Sequence, residues 1–83
     1  MKLTKKRIKE IKALAKAFYP DEDGHLAFWQ GGSPTLQAYH ASFMALLNGN
    51  ENARDFVLFS ITEGETNIQE LVNKAINGDY PEF

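Results

Sequence analysis

Cysteine is absent from these 83 residues, tryptophan occurs once, histidine twice and proline three times. The first absence excludes a disulfide framework, a thiolate metal site and a thiol nucleophile, so the fold must rest on an apolar core or on an assembly. Arginine is scarce as well, with only Arg7 and Arg54. That argues against direct reading of DNA sequence, for which bidentate arginine on guanine is the commonest device. Apolar runs are short, as Phe56 to Phe59 illustrates, against the roughly 18 residues a membrane span needs. A secretory leader is not expected, because Lys12 and Lys16 interrupt the stretch that would have to be continuously apolar. The expectation is a cytoplasmic protein with no membrane partner.

What is present suffices for folding. Leu, Ile, Val and Phe make up 21 of the 83 residues, above the roughly 20% below which chains tend to stay disordered. A chain of this size builds one core, so residues 1–83 are read as a single small domain.

Charge is divided sharply along the chain. The formal net charge is −2. Yet Lys2, Lys5, Lys6, Arg7, Lys9, Lys12 and Lys16 stand against Glu10 alone, giving +6 over the first 19 residues and −8 over the rest. Such asymmetry hints at an interaction surface.

The opening segment is also the clearest helix. Ile8, Ile11, Ala15 and Phe18, with Leu14 beside them, recur on one face, and the spacing predicts an amphipathic helix over 4–19. Thr4 is suited to cap it, Leu3 to staple against Ile8, and Pro20 to end it. Asp21 to Gly24 reads as a turn. It imitates a calcium loop only at its start, since His25 and Leu26 stand where an EF-hand needs an oxygen ligand and a glycine. Residues 25–30 read as a short extended segment.

Ser33 and Pro34 open a second helix predicted over 33–48, with Leu36, Tyr39, Phe43 and Leu47 as its buried stripe and Gly49 closing it. Residues 51–62 fit two templates. Phe56 to Ile61 reads as a buried strand, whereas Ala53, Phe56, Val57, Ser60 and Ile61 share one helical face, with Asn50 as cap and only Leu58 among the polar residues. Helix is preferred. The last helix, over 67–77, takes Thr66 and Gln69 as a capping box, Ile68, Leu71, Val72, Ala75 and Ile76 as its stripe, and Gly78 as its stop. The fold class expected is all-α, a four-helix arrangement with the extended piece at 25–30. The alternative is α+β, with 25–30 and 56–61 as paired strands.

Several features bear on function. Lys5, Lys9, Lys12 and Lys16 fall at i, i+4, i+7 and i+11, which sets four ammonium groups in a row about 16 Å long, flanked by Lys6. A phosphate backbone would accept such a row, and so would an acidic protein. The plainer reading is a solvated face. Gly31, Gly32 and Ser33 precede a helix N-terminus and form a weak candidate anion loop, matching neither the P-loop nor the dinucleotide fingerprint. The two histidines, His25 and His40, make no triad and, with Asp21 or Asp23, match no zinc spacing, so no metal or cofactor is expected. Phe28, Trp29, Tyr39 and Phe43 are read as core rather than as a stacking surface for bases. A helix-turn-helix outline over 33–62 is disfavoured because Glu51 and Asp55 would face the DNA.

The expectation is therefore a non-enzymatic interaction or regulatory module. It presents the lysine row to nucleic acid or an acidic protein, with a homodimer as a further possibility. A second reading is an inhibitor or mimic docking its acidic residues Glu51, Asp55, Glu63, Glu65 and Glu70 on a basic partner. A third is a small anion binder or enzyme built on Gly31 to Thr35 with His25 or His40.

Overall fold

A computed structural model describes residues 2–19 and 34–81. They form four α-helices and no strand: α1 (Lys5–Phe18), α2 (Pro34–Leu46), α3 (Glu51–Thr62) and α4 (Ile68–Ile76). The fold is all-α. Residues 56–61 lie inside α3, so the paired-strand alternative fails. The turn at 21–24, the extended segment at 25–30 and the capping role of Ser33 fall outside the described residues.

Each helix start has a side chain that answers an otherwise unpaired backbone N–H wherever its cap is described. Thr4 Oγ1 accepts from the Arg7 amide at 3.1 Å, and Asn50 Oδ1 accepts from the Ala53 amide at 3.1 Å. The expected Thr66–Gln69 capping box is displaced by one residue. Asn67 Oδ1 accepts from the Glu70 amide at 3.1 Å, and Asn67 Nδ2 donates to Glu70 Oε2 at 3.3 Å. Glu70 thus holds the position where a carboxylate also meets the positive end of the helix dipole. Gln69, freed from capping, accepts from the Leu3 amide through Oε1 at 2.6 Å and ties the chain before α1 to α4.

The core lies where α3 is clasped between α1 and α4, which form its two largest interhelical contacts; α2 packs on α1 and touches α3 least. Ile11, Leu14, Phe43, Val57, Leu58 and Val72 are fully buried. The sequence projection put Leu58 on the polar side of α3 and Phe56, Ser60 and Ile61 on its apolar side. In fact Leu58 and Arg54 are buried, while Phe56, Ser60 and Ile61 are half-buried. A helix flanked on two sides buries more of its circumference than a single stripe suggests. Ile76 is likewise outside the core at 39% exposure. Tyr80 lies over the core, stacked on Phe56 with ring centroids 5.2 Å apart, and its hydroxyl accepts from Asn50 Nδ2 at 3.0 Å.

Candidate functional site

The lysine row follows from the amphipathicity of α1. Burying Ile11, Leu14, Ala15 and Phe18 against the other helices turns Lys5, Lys9, Lys12 and Lys16 to the opposite side, where all four are exposed together with Lys6. Among the described residues none of the five makes an ion pair. The ion pairs there are Arg7 with Glu10, Arg54 with Glu51 and Asp55, and Lys74 with Glu70. Lys5 and Lys6 also stand in the first turn, which holds no acidic residue. Cations there face the positive end of the helix dipole and weaken the helix.

Beside the row, α1 and α2 leave an open groove of about 230 Å³ lined by Lys6, Lys9, Glu10, Ala13 and Tyr39. Glu10 is buried and accepts from Arg7 Nη1 through Oε1 at 3.0 Å, so its charge is met within α1. Of the aromatics read as core, Phe43 is buried but Tyr39 is only half-buried, giving the groove the one ring among its described lining residues. Phe28 and Trp29 fall outside the described residues.

A second cluster was not anticipated from the sequence. Arg54, 8% exposed, lies where α1, α2 and α3 meet. Its Nε donates to Asp55 Oδ1 at 3.0 Å, Glu51 Oε2 lies 3.6 Å from Nη1, and its guanidinium carbon stands 5.1 Å from the centre of the Phe18 ring. Its Nη1 also lies 3.3 Å from His40 Nε2, and His40 stacks on Phe18 at 5.5 Å. Arginine can only donate, so this contact requires a neutral His40 with its proton on Nδ1. Burial and then the Arg54 charge hold the His40 pKa below its ordinary value, with Glu51 pulling the other way. Tyr19, edge-on to Phe59 at 5.6 Å, has its hydroxyl pKa raised by burial and by Asp55, against Arg54. The signal available in the sequence was a lone arginine set among Glu51 and Asp55.

This cluster bears on the other readings. His40 is engaged in packing α2 onto Phe18 and Arg54. Glu51 and Asp55 are partly neutralised by Arg54, and Glu70 lies 3.4 Å from Lys74 Nζ, while Glu63 and Glu65 are exposed and in none of the described ion pairs. With Arg54 buried, the outer face of α3 offers DNA no cation, which strengthens the case against a helix-turn-helix. Gly31, Gly32, Ser33 and His25 fall outside the described residues. No group of three or more metal-ligating side chains occurs among the described residues, and no helix there is long and apolar enough to cross a membrane.

Fold and edge together define a small all-helical protein with a one-sided row of lysines. Comparison with protein-family models, curated proteins and solved structures returns no match.

Proposed function

We propose that this chain is a small cytoplasmic, non-enzymatic interaction module that docks the α1 lysine row on the phosphate backbone of nucleic acid. The observation that carries the reading is the row itself: Lys5, Lys9, Lys12 and Lys16 are exposed on one edge and unpaired with any described carboxylate. A solvated face explains why a core helix carries lysines. It does not explain Lys5 and Lys6 at the end of the dipole that disfavours them.

Two features favour nucleic acid over an acidic protein. Lysine is a point charge on a flexible stem, suited to phosphates whose spacing varies, and here Arg7, the one planar donor of α1, is turned to Glu10. Protein interfaces are also built around an apolar core, whereas the row is made of lysines alone.

The test is binding of a labelled single-stranded oligonucleotide, a duplex and polyglutamate to the native chain and to a variant with all four lysines changed to Glu. Nucleic acid should bind the native chain and lose to the variant, with added salt weakening binding steeply. Polyglutamate binding as tightly as nucleic acid would transfer the row to an acidic protein partner. Binding untouched by the charge reversal would overturn the reading.

A further inference from the structure

The groove between α1 and α2 extends this reading, and rests on it, because Lys9 belongs both to the row and to the groove lining. A strand whose phosphates follow Lys5, Lys9, Lys12 and Lys16 therefore passes the mouth of the groove. We propose that the groove receives one unstacked base of a single-stranded nucleic acid, with Tyr39 as the stacking ring.

Three observations support a base rather than another group. The lining pairs the Tyr39 ring with the small side chain of Ala13, leaving about 230 Å³ open to solvent. Tyr39 is half-buried and packs against the core, which restrains the ring on one side. Glu10 contributes a carboxylate to the lining, already engaged by Arg7. A carboxylate there accepts N–H groups from the edge of a base, which a phosphate does not offer. A positive track joined to an aromatic platform is how single strands are held without sequence reading. A duplex cannot fill the groove without first pulling a base out of its stack.

The test is fluorescence anisotropy with an oligodeoxycytidine of about 12 nucleotides, long enough for one such site, beside a duplex of equal length and with inorganic polyphosphate as competitor. The single strand should bind more tightly than the duplex. Tyr39→Ala should weaken single-strand binding by about 5- to 150-fold, the range of one base–aromatic stack, and leave duplex and polyphosphate binding unchanged. Tyr39→Phe should keep the native affinity. Ala13→Leu, which fills the groove from a half-buried helical position on its lining, should reproduce the loss should Tyr39→Ala fail to fold. Equal binding of single strand and duplex, or a groove variant that weakens all three polyanions alike, would overturn the proposal while leaving the lysine row standing. Failure of every polyanion to bind would instead remove the row's role, and the groove's with it.

Discussion

Positive charge is handled in opposite ways at the two places where this molecule concentrates it. At Arg54 the guanidinium is buried and met by Asp55, by Glu51, by a ring nitrogen of His40 and by the face of Phe18. Along α1 the lysines are exposed and answered by nothing described. The contrast separates charge that holds helices together from charge left over. Arg54 joins three helices. Removing the lysines would remove no described ion pair or side-chain hydrogen bond.

The comparison can be broken by a pair of variants with opposite outcomes. Changing Lys5, Lys9, Lys12 and Lys16 to Gln should cost nucleic-acid affinity on the order of 100-fold or more, since most non-specific affinity is electrostatic. Stability in urea should move by no more than about 0.5 kcal/mol per site. Arg54→Ala should do the reverse, lowering stability by about 1–3 kcal/mol, because charged hydrogen bonds and ring packing are lost together. Its nucleic-acid affinity should be that of the native chain. An Arg54 variant that keeps its stability, or a lysine variant that unfolds, would erase the distinction.

Smaller effects sharpen it. Asn67→Ala should lower stability by about 1 kcal/mol, whereas Thr66→Ala should change it by less than about 0.5 kcal/mol, because Asn67 and not Thr66 caps α4. Chemical denaturation of the two variants decides which residue starts the helix. Weaker again is the response of His40 to pH. Its folded pKa is depressed, so the unfolded chain binds the proton more readily, and stability falls as pH drops below the ordinary value of 6.5 and through the folded one. Protonation takes away the acceptor for Arg54 and sets a second cation beside it, partly offset by Glu51 and Asp55. His40→Gln should flatten that part of the stability–pH curve. A native curve already flat between about pH 7 and 5 would remove His40 from the Arg54 cluster.

Much of the fold was legible because most of its helices bury one stripe and carry local stop and start signals. α1 is the clear case, with Thr4 before it and Ile11, Leu14 and Phe18 inward. Gly49 and Gly78 adopt φ of 74° after their helices, the left-handed turn expected of them. α3 was harder. A projection assumes one buried face, and α3 is packed from two sides, so Leu58 and Arg54 were assigned to solvent. The cap of α4 was misplaced because Thr66 and Asn67 both have suitable side chains and Gln69 and Glu70 both follow at the right spacing. Only the tertiary bond from the Leu3 amide to Gln69 separates the two choices.

The lysine row was legible for the same reason as α1 itself, since periodicity that buries one side exposes the other. The groove was not. It arises where Ala13 of α1 meets Tyr39 of α2, 26 positions later in the chain. Its one sequence trace is a small residue breaking a lysine-rich surface. Residue type alone assigns Tyr39 to the core, and the side chain does pack against it, half-buried.

The most direct measurement is the slope of log K against log salt concentration for a single-stranded oligonucleotide. Four phosphate contacts give a slope of about −2.8, and Lys9→Gln should bring it to about −2.1, at roughly 0.7 per contact. A slope near zero, or one that Lys9→Gln leaves unchanged, would contradict the claim that these lysines meet the phosphates.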